Sequence, residues 1–256
     1  WQLVTKQIEI DQAEGFATVK SAKLEVNDLP VFYFPRITFP ISNKRSSGLL
    51  FPTIGVNRQN GFDILQPIYW NIAPHYDATF TPRYISERGA AFGGEFRHLS
   101  TWAKTELNGQ WLFNDLGGKE VTSKPQNSDY RGQTRYLASF DHRGGFERPW
   151  KTYINLNKVS DTDYFNDLGT EFLTERSLTH LQRVTMASFK KGHWNFGIET
   201  EDYQVISQDI DEQYAVLPKI SVDGYFRPTR NIIVDINQTY TRFEHEDAER
   251  VAGQRL

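Results

Sequence analysis

The 256-residue chain contains no cysteine and a single methionine. The first absence removes disulfides, thiolate metal ligands and cysteine nucleophiles from this segment. Basic charge is not in excess: 29 Lys and Arg stand against 32 Asp and Glu, for a net charge of -3. No global field therefore draws the chain to nucleic acid. No apolar run approaches the roughly 18 residues that a membrane helix needs. A helical membrane protein is excluded. A membrane β-barrel is not, because only alternate residues of its strands face lipid and the mean hydropathy, here -0.58, stays low. Helical periodicity is missing as well, with no 3.6-residue stripe of useful length. The chain opens WQLVTKQIEI, without Met or a signal peptide, and closes in the charged stretch EHEDAERVAGQRL. Both ends look cut, so an internal piece of a longer protein is expected.

What is present in abundance is aromatic side chain, 14% of residues, which argues against disorder. The second positive feature is period two. Tyr76, Ala78, Phe80, Pro82 and Tyr84 alternate with Asp77, Thr79, Thr81 and Arg83. Tyr136, Ala138 and Phe140 alternate with Arg135, Ser139 and Asp141, and Ile232, Val234 and Ile236 with Asp235 and Asn237. Successive side chains of a strand point to opposite faces, so each such segment is a ribbon with one apolar and one polar side. The fold class read from this is all-β and antiparallel, with about eleven strands from residue 49 onward.

Short links near 71–75, 100–103, 143–147, 190–193 and 227–230 alternate with longer polar loops near 114–129, 160–176 and 207–213. The ribbons between them run to about ten residues, which suits a tilted strand crossing a bilayer. Strands of soluble sandwiches are nearer five or six. Trp70, Tyr84, Trp102, Trp150 and Trp194 fall near strand ends, where amphipathic rings suit a membrane–water boundary. A large soluble β-sandwich with an aromatic core is the alternative that this pattern leaves open.

The first forty residues differ. Short strands precede LPVFYFPRITFP, in which Pro30, Pro35 and Pro40 recur every fifth residue. Proline has no amide to donate, so an edge strand or a linker is expected there, not a central strand. The polar SNKRSSG stretch, 42–48, marks a domain boundary, dividing 1–41 from 42–256.

Sites of covalent chemistry are not apparent. The six histidines are scattered and no H-E-x-x-H, G-x-S-x-G or P-loop spacing occurs. Asp161, Asp163 and Asp167 form an acidic loop, better read as solvated carboxylates than as a Ca²⁺ site, since the EF-hand glycine is missing. Neither catalysis, a cofactor nor a metal is expected.

Several motifs resemble the LptD family of outer-membrane lipopolysaccharide-assembly proteins. They are PVFYFP (Pro30–Pro35), KRSSGLLFPTIG (Lys44–Gly55), PIYWNIAPHYDATFTPRYISERG (Pro67–Gly89), GGEFRHLS (Gly93–Ser100) and KVSDTDYFNDL (Lys158–Leu168), in that order along nearly the whole chain. The resemblance implies that 1–41 is the C-terminal end of a periplasmic β-jellyroll. Residues 42–256 would be the N-terminal portion of a large antiparallel transmembrane β-barrel. It also implies a function, the translocation of lipopolysaccharide into the outer leaflet of the outer membrane through a lateral gate. The partners implied are an LptE-type plug lipoprotein, the bridge protein LptA docking upstream in the jellyroll, and outer-membrane lipids. Pro52 and Pro67 match prolines of the family's gate, each removing a ladder donor worth about 1 kcal/mol. The plainer reading makes them bulges or strand ends. Phe32, Phe34 and Phe39 are candidates for a lipid path, or ordinary jellyroll core. Arg83, Arg131 and Arg135 fall on the polar phase and are lumen residues, either meeting phosphorylated sugars or, the preferred reading, simply solvated. A porin or receptor for small solutes is the alternative function.

Overall fold

A computed structural model describes residues 2–11, 15–26, 29–41, 45–119, 130–169, 179–206, 213–245 and 252–255. The elements in chain order begin with β1 (Gln2–Val4), β2 (Gln7–Asp11), β3 (Phe16–Val26) and β4 (Leu29–Pro40). The first hairpin of the larger sheet follows as β5 (Gly48–Leu49), β6 (Thr53–Asn57), β7 (Gly61–Leu65) and β8 (Ile68–Ala73). Long strands come next: β9 (Tyr76–Ile85), β10 (Gly89–Leu99), β11 (Ala103–Leu112), β12 (Arg135–Gly144) and β13 (Trp150–Val159). After the short helix α1 (Tyr164–Leu168) come β14 (His180–Lys191), β15 (Trp194–Val205), β16 (Ala215–Thr229), β17 (Ile232–Glu244) and β18 (Gly253–Arg255).

These strands form two antiparallel sheets. In the first, β3 carries β1 and β2 along one edge and β4 along the other. Ala17, Val19 and Ala22 of β3 are buried. Among the described residues β4 pairs with β3 alone and so lies at an edge of this sheet, where a strand tolerates proline.

The second sheet runs β18-β17-β16-β15-β14-β13-β12-β11-β10-β9 and then splits, with β7 and β6 continuing from one half of β9 and β8 and β5 from the other. Every alternating segment read from the sequence falls on a strand, with corrections. Residues 131–134 precede the strand, 131–132 as turn, and β12 starts at Arg135. Each of the first two ribbons is broken in its middle, as β5/β6 and β7/β8.

The sheet is dressed inside out. From β9 to β13 the polar phase is largely buried, save Arg97, Lys104, Arg143 and Lys151 toward the short turns, and much of the apolar phase is exposed. Asp77, Thr81, Asn108, Gln110, Ser139, Asp141, Asn155 and Asn157 are all under a tenth exposed. Phe80, Tyr84, Phe92, Phe96, Leu107, Trp111 and Leu156 are exposed. Register aligns these rows: Phe96 opposes Leu107, Leu107 opposes Phe140, and Phe140 opposes Leu156. A sheet that curls crowds the side chains on its concave face and spreads those on its convex face. Here the crowded face is polar. Strands of ten to twelve residues at about 3.3 Å per residue, tilted by about 45°, span roughly the 25 Å of a barrel's apolar band. No helix among the described residues is long and apolar enough to cross a membrane.

One apolar core sits on the concave side, at the end of the sheet carrying the long connections, hereafter the mouth. There Ile85, Ala91, Leu112, Leu137 and Val159 take the inward phase and pack with Tyr164, Phe165 and Leu168 of α1 and with Leu181 and Ile206. Of the 160–176 stretch, the described part, 160–169, is therefore not simply a polar loop: it sends a helical turn into the mouth, and 170–176 lie outside the described residues. Five residues are too few for a periodic signal, so the sequence pattern did not reveal it.

Candidate functional site

Three features of the second sheet bear on function: its polar concave face, its interrupted first hairpin and an ionic knot at its mouth.

On the concave face, Asp77 accepts from Arg97 Nε at 2.7 Å, Arg45 Nη1 at 3.2 Å and the Tyr69 hydroxyl at 3.1 Å. Further along, Asn157 Nδ2 donates to Asn155 Oδ1 at 2.6 Å and Asn155 Nδ2 to Asp141 Oδ2 at 3.3 Å. Such a surface offers amides, carboxylates and guanidiniums to water or to sugar hydroxyls. Among the described residues it does not assemble a nucleophile with a base. No group of three or more His, Cys, Asp or Glu able to hold a metal ion occurs among the described residues.

The first hairpin is broken at one level in both strands. Pro52 lies between β5 and β6, and Pro67 between β7 and β8. The Leu50 amide donates to the Pro67 carbonyl at 3.0 Å, but proline has no N–H to return to Leu50. The Gln66 side chain supplies it: Nε2 lies 2.8 Å from the Leu50 carbonyl and 3.0 Å from that of Pro67. The next strand continues the line. Pro82 of β9 faces the gap, and its carbonyl accepts the Gln66 amide at 3.0 Å. Two short ladders flank this level, Gly48–Tyr69 with Leu49–Ile68 on one side and Asp63–Ile85, Ile64–Tyr84 and Leu65–Arg83 on the other.

At the mouth, two arginines meet three carboxylates. Arg88 and Asp115 are both 0% exposed, and Arg88 Nη1 lies 2.9 Å from Asp115 Oδ2. Arg135 Nη1 bridges Asp115 at 3.0 Å and Asp167 at 2.8 Å, while Arg135 Nη2 lies 2.7 Å from Asp161 Oδ1. Arg88 Nη2 is 3.0 Å from Asp167 Oδ1, an ion pair without a well-aligned hydrogen bond. Buried charges are tolerated only when paired and bonded in this way. The Tyr130 hydroxyl donates to Asp163 Oδ2 at 2.8 Å, and the Arg135 guanidinium sits 4.3 Å from the centre of its ring. Burial, and then the Asp163 carboxylate, push the Tyr130 phenol up to about 12.

The residues singled out in the sequence fall as follows. Pro52 and Pro67 come together at the break. Arg83 and Arg135 are buried and ion-paired, Arg83 to Asp63 at 2.6 Å, which corrects the reading of both as solvated lumen charge. Arg131 is exposed in the turn before β12. Asp161 and Asp167 are likewise arginine partners, not solvated loop carboxylates. Phe34 lies half-buried on β4, and the side chains of Phe32 and Phe39 lie outside the described residues. Gln66, Pro82, Arg88 and Asp115 were missed. For Pro82 a signal existed: Pro52, Pro67 and Pro82 recur at equal spacing, and because the intervening turns fall close to midway the three lie within one residue of a common level.

Comparison with known proteins supplies the context. The family model described as LPS transport system D matches residues 133–256. A protein of Alkalilimnicola ehrlichii named LPS-assembly protein LptD is 36% identical over all of this chain and 32% of its own length. Proteins of the same name from Saccharophagus degradans and Vibrio vulnificus are 35% and 33% identical, over 100% and 98% of this chain and 31% of their own lengths. The chain thus spans about a third of the curated relatives it matches.

Proposed function

The chain belongs to the LptD family, as a segment of about a third of its relatives' length, and on that premise we propose that it is part of the conduit that carries lipopolysaccharide to the outer leaflet of the bacterial outer membrane. The observation that carries this reading is the inverted sheet. Its exposed rows of Phe, Leu and Trp suit hydrocarbon, and its buried Asp, Asn, Gln and Arg suit hydrated sugar.

In this proposal 1–41 is the end of a periplasmic jellyroll, and 42–256 is the first part of a transmembrane barrel. Phe32, Phe34 and Phe39 of β4 lie on the lipid's path. Pro52 and Pro67 weaken the first hairpin, so that the barrel parts there and the acyl chains leave sideways. The strand-end reading of both prolines is supported by their positions between the half-strands, and it is compatible with a gate, because a strand end is where a ladder lacks bonds. Arg131, exposed near the mouth, meets phosphorylated sugars, whereas Arg83 and Arg135, neutralised by carboxylates, hold the wall. The protein is a transporter and not an enzyme. Its partners are an LptE-type plug lipoprotein and, through the jellyroll upstream, LptA.

The test is label transfer in cells. A photoreactive residue placed at Pro52 or Phe39 of the full-length protein is expected to capture lipopolysaccharide, and one at exposed Phe92 to capture far less. Absence of transfer at both path positions contradicts the conduit.

A further inference from the structure

The ladder of the first hairpin is interrupted at the proline level, and its turn is bound to a distant part of the chain. The turn between β6 and β7 carries Gln59 and Asn60. Gln59 Nε2 donates to Asp167 Oδ1 at 2.7 Å, and Asn60 Nδ2 donates to the Asp167 carbonyl at 2.6 Å. Arg83 Nη1 of β9 donates to the next carbonyl, that of Leu168, at 2.6 Å. The last carbonyls of a helix have no partner within it, so α1 presents acceptors at this end, and the first three strands supply the donors. Asp167 also receives Arg135 of β12, and Asn60 Oδ1 accepts Arg88 Nε at 2.6 Å. Lys119 adds a backbone bond to the Gln59 carbonyl at 2.8 Å. All of this lies at the mouth. Across the proline level, the other half of the first strand is β5, which has two ladder pairs to β8, Gly48–Tyr69 and Leu49–Ile68, supplemented by the Leu50 amide on Pro67 and by Asn71, bonded to Ser47 Oγ at 2.8 Å and the Arg45 carbonyl at 3.0 Å.

We infer that Asp167, with the C-terminal end of α1, is a positioning residue that pins the mouth end of the first hairpin. The first strand then yields below the proline level, at β5, near the linker from the first sheet. Movement is confined to the half-strand with the fewest ladder pairs, while Asn60, buried at 5% exposure and bonded on both sides of its amide, stays put. A lipid arriving from the first sheet would meet the opening at the level where it arrives, and the sugar-facing mouth would remain closed beside the hairpin. This inference rests on the gate reading of Pro52 and Pro67.

The test uses the full-length protein in outer membranes and has two arms. In the first, Arg58→Cys and Asn166→Cys are bridged with a short bismaleimide. Both are exposed residues lining one cleft of ≈ 580 Å³, and neither takes part in the bonds above. Lipopolysaccharide labelling at Pro52 is expected to be unchanged by the bridge, whereas its loss shows that the pin must release and overturns the inference. In the second arm, Asn60→Ala is compared with the parent by amide exchange in the purified complex. Exchange at residues 61–65 is expected to rise about tenfold, the effect of losing a hydrogen bond in a charged network, with residues 103–112 unchanged. No rise, or an equal rise in both segments, overturns it. Gln59→Ala is the second variant should Asn60→Ala fail to assemble. If unbridged protein never labels at Pro52, the conduit itself fails, and the exchange arm still judges the pin.

Discussion

Gln66 gives Leu50 what Pro67 cannot: its side-chain Nε2 stands 2.8 Å from the Leu50 carbonyl, in the place of the absent proline amide. The bond is a replaceable one. A backbone amide is fixed in the ladder, but a glutamine side chain swings away by rotamer change without moving the strand. The first hairpin is thus held closed at its weakest level by a group that can let go.

Gln66→Ala should free that carbonyl and cost about 1 kcal/mol, the net worth of one hydrogen bond. The readout is exchange of the Leu50 amide, which is bonded to the Pro67 carbonyl. It is expected to speed up roughly fivefold. Adding Pro67→Ala restores a backbone donor and should reverse most of the effect. An additive loosening by the two changes would contradict this view of Gln66.

Arg135→Met should be far more damaging than Arg131→Ala. The first leaves Asp115, Asp161 and Asp167 short of their shared cation in a buried site, at a cost of about 3–5 kcal/mol. The second alters an exposed turn and should stay within about 0.5 kcal/mol. The temperature at which the folded band is lost on unheated-versus-heated gels ranks the two.

Tyr130 offers a titration. Its folded value is raised to about 12 from the ordinary 10.0, first by burial and then by Asp163. The folded chain therefore holds the phenol proton more tightly than the unfolded chain does. The resulting stability is fully present below about pH 10 and is lost as pH rises from 10 toward 12. Tyr130 is partly exposed, so solvent screening keeps this contribution small. A phenolate difference spectrum of the parent against Tyr130→Phe should show a midpoint well above 10, and a midpoint at 10 would place the ring in water.

The strands were legible because their signal is local. Tyr76 to Tyr84 alternates cleanly, and that alternation alone assigns Asp77 and Phe80 to opposite faces. Which face is the crowded one was expected from strand length and aromatic placement, and the burial of Asn108 against the exposure of Leu107 agrees with it. The knot at the mouth was not legible. Arg88, Asp115, Arg135 and Asp167 lie in different strands and connections, and no spacing in the chain announces that four such side chains converge. Charged residues in loops are most often solvated, so Asp161 and Asp167 read as solvent-facing until α1 was seen to fold inward. Pro82 was hidden for another reason. It occupies the apolar phase of a good strand, and its even spacing from Pro52 and Pro67 was the one hint of its place beside Gln66 of the neighbouring ribbon.

The most direct measurement is a spin-label scan of β10 and β11 in the full-length protein reconstituted in lipid, read with oxygen and with a water-soluble nickel chelate. Labels at Phe92, Phe96 and Leu107 should be relaxed by oxygen, and labels at Gly93, Glu95 and Asn108 by the chelate, alternating residue by residue. Equal chelate access on both phases, or shielding of Phe92, Phe96 and Leu107 from both relaxants, would mean that these side chains face water or packed protein and not hydrocarbon.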